Sequence, residues 1–280
     1  MIEMNYGKYV IPKRLKQVVE LQKHLNEIGK SMHGYFLGYY FSYAPIDDRY
    51  LNTPLDVIPF ANPGSDGVHF GFLTDFGQVK DLHDAYIVRV SPMDSDNPVH
   101  IVARNIEDFI SAICFYPNAM DLLDMRSTHK DVLNFLDEYP MLQTETIQSD
   151  QEYDVHRIVY ETLHLNPFEN FEDYFNLVQQ QRNMETILPT IDYIGVAKKS
   201  DAAEGTPTNI SLLNLENRED ITLPEVKSFF ETAAYEAKLA FLRDTYSRAL
   251  VWDHEDIKSF LKEQLRSMKL TAEAERISYP

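Results

Sequence analysis

At 280 residues and 44% hydrophobic side chains, the chain is long enough to bury a substantial core and too apolar for general disorder. Its 26 basic and 44 acidic side chains leave a formal charge of -18, which repels nucleic-acid phosphates and anionic lipid, and no local basic patch offsets it. Such acidity serves solubility or attracts a basic partner.

The opening MIEMNYGKYVIPKRLK has no basic region, apolar run and small-residue cleavage site of a secretory kind, so a cytoplasmic protein is expected. From Ile11 to Ile28 apolar residues recur at helical spacing, with Pro12 suited to a first turn and Gly29 to a stop. The aromatic stretch GYFLGYYFSYAP that follows has no clear period, and its conformation stays open.

Leu51 to Arg104 carries short β-branched and aromatic runs, DVIPFA, VHFGFLTD, AYIVRV and PVHIVA, separated by Pro, Gly, Asn and Asp. Alternation places Val68, Phe70 and Phe72 opposite His69, Gly71 and Leu73, and Tyr86, Val88 and Val90 opposite Ile87 and Arg89. The turns NPGSDG and PMDSDNP join these runs, so antiparallel pairing is expected. NIEDFISAICF then predicts a helix with Asn105 as N-cap and Ile106, Phe109, Ile110 and Ile113 on one stripe. Cys114, the only cysteine, excludes an intrachain disulfide and reads as a buried thiol in a reducing compartment.

Beyond Pro117 the β signal fades. Short helices are predicted over Met120–Met125 and Asp131–Glu138, and longer ones over Gln151–Leu165 and Phe171–Glu185. ILPTIDYIGVA suggests a strand and KKSDAAEGTPTN a loop. Leu223 to Leu270 reads as two helices broken near Trp252 to His254. The aromatic residues Tyr235, Phe241, Tyr246, Trp252 and Phe260 of this tract serve either a core or a partner surface. The expected fold class is α+β, a mostly antiparallel sheet flanked by helices in residues 1–140, followed by a mainly helical region over 141–280.

No HExxH, HxxE or paired-cysteine spacing frames the nine histidines, so no metal site is assigned. His69 and His100, on strands that could be neighbours, and Asp66 form a conceivable ion-binding trio or simply polar residues on outer faces. NPGSDGVHFGF lacks the Lys-Ser/Thr of a phosphate loop, and Ser65 lacks the G-x-S-x-G frame, so a tight hairpin explains its glycines better. Between Ile28 and Ile106 there is no Glu, whereas Asp47, Asp48, Asp56, Asp66, Asp75, Asp81, Asp84, Asp94 and Asp96 all occur. Turn chemistry accounts for them, or they make one sheet rim strongly negative. The rim assigned to a partner is Asp47, Asp48, Asp66, Asp94 and Asp96. No catalytic residue and no cofactor are assigned.

TPLDVIPFANPGSDGVHFGFLTD, followed by strands and by NIEDFISAICF, resembles the SUKH superfamily, which includes Smi/Knr-type scaffold proteins and many bacterial immunity proteins. The likeness is carried by Ile58, Pro59, Phe60 and Ala61, by Gly64, Asp66, Gly67, Phe70 and Phe72, and by Ile106 to Ile110, Phe109 among them. It covers Ile11 to Phe115 and implies an α+β fold without catalytic residues. It also implies a non-catalytic binding module, foremost an immunity protein that neutralises a toxin, often a nuclease. The expected partner is then a basic protein such as a toxin domain, with no nucleic acid and no membrane involved. Two alternatives stand beside this: a scaffold of the same fold, and a hydrolase or nucleotide-handling enzyme between the two halves, using Asp66, His69 and His100.

Overall fold

The computed structural model describes residues 5–31, 33–35, 37–43, 49–94, 97–116, 150–198 and 210–277. Helix α1 (Lys13–Glu27) buries Leu15, Val18, Val19, Leu21 and Leu25 along one stripe. Pro12 occupies the N-cap rather than the first turn, and the chain leaves the helix through Ile28 into Gly29, whose φ of 70° suits a residue without Cβ.

Strands β1 (Tyr40–Phe41), β2 (Val57–Asn62), β3 (His69–Leu73), β4 (Ile87–Val90) and β5 (Val99–Ala103) form one antiparallel five-stranded sheet in chain order. The four expected strands all form, and the open aromatic stretch supplies β1. Period-two alternation divides the sheet as the sequence predicts. Ile58, Phe60, Phe70, Phe72 and Ile87 face α1 and helix α2 (Ile106–Phe115), while Val57, Leu73, Tyr86, Val88, Val90 and Ile101 face the other side. Asn105 caps α2 by accepting from the Asp108 N–H at 2.9 Å, and Phe109 meets the rings of Phe60 and Phe70 at 5.6 and 5.0 Å. Cys114 is buried in the same cluster.

Pro59 lacks a ladder donor, and the β2–β3 register shifts just beyond it, with Pro59 opposite Gly71 but Ala61 opposite Phe70. Gly71 is needed there because a Cβ would lie 2.5 Å from Val57 Cγ1 and 2.9 Å from the Ile58 carbonyl oxygen.

Glutamines from two helices close both sheet edges. Gln22 of α1 donates to the Phe41 carbonyl at 2.9 Å and accepts from the Phe41 N–H at 2.7 Å, as a further strand would. On the far edge Gln179 donates to the Ile101 carbonyl at 3.0 Å. Gln179 belongs to α4 (Phe171–Glu185), which with α3 (Asp150–Leu163) matches the two longer predicted helices. Val155, Val159 and Leu163 of α3 and Phe175 of α4 join the cluster that covers the first sheet face.

The apolar run ILPTIDYIGVA contributes a two-stranded hairpin rather than one strand. Strands β6 (Thr186–Leu188) and β7 (Val196–Ala197) flank a turn in which Asp192 accepts from Ile194 N and Thr190 Oγ1 accepts from Gly195 N. The predicted short helices at 120–125 and 131–138 lie outside the described residues, as does the predicted loop beyond Lys198.

The C-terminal tract is interrupted more often than its periodicity suggested. Helices α5 (Leu223–Thr232), α6 (Tyr235–Ser247), α7 (Glu255–Ser267) and α8 (Thr271–Arg276) follow one another, so the break near Trp252 is joined by another at Ala233–Ala234. Alanine favours helix, and tertiary packing overrides it: extended backbone there folds α6 back so that Phe241 meets Phe229 and Phe230 at 5.4 and 5.5 Å. Phe241 and Tyr246 are core residues, whereas Tyr235 and Trp252 are exposed.

Leu55 and Phe76, from the segments flanking β2 and β3, insert into this helical cluster. Beside them lies an ionic core. Arg243 of α6, fully buried, reaches Asp56 at 2.7 Å and Asp75 at 3.3 Å, while Arg182 of α4 grips both oxygens of Asp75 at 2.8 Å. Arg276 donates to the carbonyls of Leu55 and Asn5 at 2.8 and 2.7 Å. Buried arginines (49, 89, 182, 243 and 276) equal buried acids (Asp56, Asp75, Asp192, Asp244 and Glu273) among the described residues. The interior is therefore balanced in formal charge, and the excess acidic residues lie outside it.

Candidate partner-binding surface

In an antiparallel meander alternate connections share one end of the sheet. The β2–β3 turn (63–68) and the β4–β5 turn (91–98) therefore emerge together, carrying Asp66 and Asp94 to the same end. Asp66 is exposed and Asp94 half-buried, accepting from Asn97 N at 3.0 Å. No lysine or arginine occurs from Tyr50 to Val79 or from Val90 to Ala103.

The first turn is held between two tyrosines. Gly64 and Gly67 both have positive φ, 79° and 69°, and added Cβ atoms would lie 2.4 Å from Tyr35 Oη and 2.4 Å from Tyr50 Cζ. Tyr35 in turn meets the exposed Tyr40 ring at 5.7 Å. On the other side Tyr50 stacks on His69 at 6.0 Å with planes 16° apart.

A short hydrogen-bond relay fixes that stack. The Tyr50 N–H donates to Thr53 Oγ1 at 2.8 Å, and Thr53 Oγ1 lies 3.1 Å from His69 Nε2. His69 Nδ1 is 2.8 Å from the Gly67 carbonyl, which only accepts, so Nδ1 carries the proton and Nε2 receives the threonine hydroxyl. Burial pushes the His69 pKa down to about 4, against the Gly67 bond and with help from Arg49, so the ring is neutral. Arg49 donates to the carbonyls of Val57, Thr53 and Pro54 and holds the loop that presents Tyr50 and Leu51. Asn52 links this loop to the second turn through the Pro92 carbonyl at 3.2 Å.

The result is that Tyr50, Leu51 and Met93, exposed by 44%, 36% and 81%, lie at the sheet end that carries Asp66 and Asp94. Aromatic residues and methionine rimmed by charge are the composition of protein interfaces.

Of the five rim aspartates assigned from sequence, Asp66 and Asp94 come together, while Asp47, Asp48 and Asp96 lie outside the described residues. Asp56 and Asp75, from the wider set of nine, turn inward to the ionic core. Ile58, Phe60, Phe70, Phe72 and Phe109 are core residues, Pro59 marks the bulge, and Gly64 and Gly67 shape the turn. Tyr35, Tyr50, Leu51 and Met93 were missed, because single apolar residues in loops carry no periodic signal.

The conceivable trio is not assembled. His69 and His100 are not on neighbouring strands, since β4 lies between β3 and β5. The register also puts His69 beside Val90 on one face, whereas His100 pairs with Arg89, and through it with Phe70, on the other. Asp66 sits in the turn, off both faces. Among the described residues no group of three His, Cys, Asp or Glu side chains is arranged to hold a metal ion, and no helix is long and apolar enough to cross a membrane.

No family model matches the chain, and no curated protein matches it.

Proposed function

We propose that the chain is a non-catalytic, cytoplasmic protein-binding module that docks a basic protein on the Asp66–Asp94 end of its sheet, foremost as an immunity protein that neutralises a nuclease toxin. The observation that carries this reading is the juxtaposition of two turn aspartates with exposed Tyr50, Leu51 and Met93 on a rim whose two turns contain no basic residue. Carboxylates steer a cationic partner and apolar anchors then hold it. The resemblance of Ile58 to Phe72 and of Ile106 to Ile110 to the SUKH superfamily supports the same reading. A nuclease that grips phosphates is basic at its site, and covering that site with carboxylates blocks its substrate.

The test is capture from the native lysate on immobilised full-length chain, with the Asp66→Lys, Asp94→Lys double variant alongside. The reading expects a basic protein that salt releases, that the variant fails to retain, and whose nuclease activity the wild-type chain suppresses. A captured basic protein without toxic activity would replace immunity by a scaffold role, and equal retention by the variant would move the docking surface elsewhere.

A further inference from the structure

The corner formed by Asp66 and Tyr50 has the chemistry of a side-chain receptor. Asp66 is exposed, with φ of 51°, and makes no hydrogen bond or ion pair among the described residues. Its position is set by its neighbour, because the next residue, Gly67, packs against the Tyr50 ring and its carbonyl accepts from His69 Nδ1–H. Tyr50 is placed likewise: its backbone N–H donates to Thr53, its ring stacks on His69, and the residue is 44% exposed. An exposed carboxylate and a partly exposed aromatic ring are thus brought to one corner of the sheet end by the contact of Gly67 with Tyr50.

Both groups suit the same guest. A guanidinium is planar, pairs with a carboxylate through two N–H groups and stacks on an aromatic face, whereas an ammonium supplies only a compact charge that keeps its water. The chain itself builds this arrangement once in its core, and a single-bonded version of it beside. Arg182 holds Asp75 with two bonds of 2.8 Å while its guanidinium lies 5.7 Å from the Tyr86 ring centre. Arg243 reaches Asp56 at 2.7 Å with the Phe76 ring at 5.2 Å. At the rim the carboxylate and the ring are present and the arginine is absent, and no basic residue from Tyr50 to Val79 is available to fill the place.

We infer that the Asp66–Tyr50 corner receives an arginine side chain of the basic partner, which makes recognition arginine-selective rather than merely charge-driven. This rests on the reading of the sheet end as the docking surface.

The experiment titrates the full chain with two synthetic peptides of equal charge, one alternating arginine with glycine and the other lysine with glycine, by calorimetry at low and high salt. The expected result is a roughly three- to fivefold tighter arginine peptide, the worth of an exposed cation–π contact. Tyr50→Leu should level the two peptides. Asp66→Asn, which keeps a residue tolerant of positive φ and so the turn, should weaken the arginine peptide and narrow the difference. Equal wild-type affinities, with binding still salt-sensitive and lost in the Asp66→Lys, Asp94→Lys variant, would overturn the arginine inference and leave the acidic docking surface standing. Binding of neither peptide, together with no basic protein captured, would remove both. A preference that survives both single variants would place the receptor elsewhere and overturn it as well.

Discussion

The ring of Tyr50 lies so close to Gly67 that a methyl group on Gly67 would sit 2.4 Å from Cζ. Gly29 has almost the same φ, 70° against 69°, but nothing within 4 Å of its missing Cβ. The pair separates backbone strain from contact. Gly29→Ala is expected to cost about 1–2 kcal/mol from the left-handed conformation alone. Gly67→Ala adds displacement of the Tyr50 ring, a further ~1 kcal/mol or more. Urea unfolding of both variants checks this, and the extra cost should vanish when Tyr50 is also alanine.

Arg243 is fully buried between Asp56 and Asp75, and its removal takes away the ion pair of the buried Asp56 while Asp75 keeps Arg182. Arg243→Met should therefore lower stability by about 3–5 kcal/mol. Arg218, whose pair with Glu225 is about one-third exposed, is the control. Arg218→Ala should cost far less, because solvent screens an exposed pair. Denaturant midpoints with unchanged slopes measure both, and equal losses would contradict the assignment of the ionic core as the link between α6 and the sheet.

Two buried groups give opposite pH dependences. His69, pushed down from 6.5 to about 4, leaves the native state with fewer protons than the unfolded chain in that window. Its contribution to stability is present above pH 6.5 and is lost as pH falls toward 4. An NMR titration should show its ring neutral until about pH 4, and a midpoint near 6.5 would contradict the burial argument.

Asp244 is pushed by burial from 3.8 up to about 7, against the bond it accepts from Ile191 N at 2.7 Å. The native state holds the extra proton here, so stability is present below pH 3.8 and declines as pH rises through 7. Asp244→Asn keeps the acceptor for Ile191 and removes the titration. It should flatten the decline between pH 3.8 and 7 and raise the melting temperature at neutral pH.

Gln22 occupies the place of a sixth strand beside β1. Gln22→Ala removes both bonds to Phe41 and should cost about 1–3 kcal/mol. With that edge stripped, self-association should rise with protein concentration in sedimentation velocity, as unguarded strand edges pair with one another. A variant that stays monomeric at every concentration would show that other groups guard the edge.

The local elements were legible because their causes are local. Alternation along VHFGFL and AYIVRV, the cap at Asn105, the stripe through Ile106, Phe109, Ile110 and Ile113, and the turn chemistry of NPGSDG each depend on neighbours a few residues away. These determined the antiparallel sheet, its closing helix and the α+β class. The break at Ala233–Ala234 was not legible, since it answers to Phe229, Phe230 and Phe241 packing rather than to alanine's own preference.

What only the tertiary structure decided is which charges face water. Nine aspartates looked alike between Ile28 and Ile106, yet Asp56 and Asp75 are claimed by Arg243 and Arg182, which lie more than 100 positions away along the chain. Asp66 and Asp94 stay outside because the meander returns their two turns to one end. Likewise Tyr50 becomes part of the rim only through its distant contacts with Gly67 and His69. Composition settled the sign of the protein's charge; long-range pairing, in which buried carboxylates must meet buried guanidinium groups, settled where that charge is left to act.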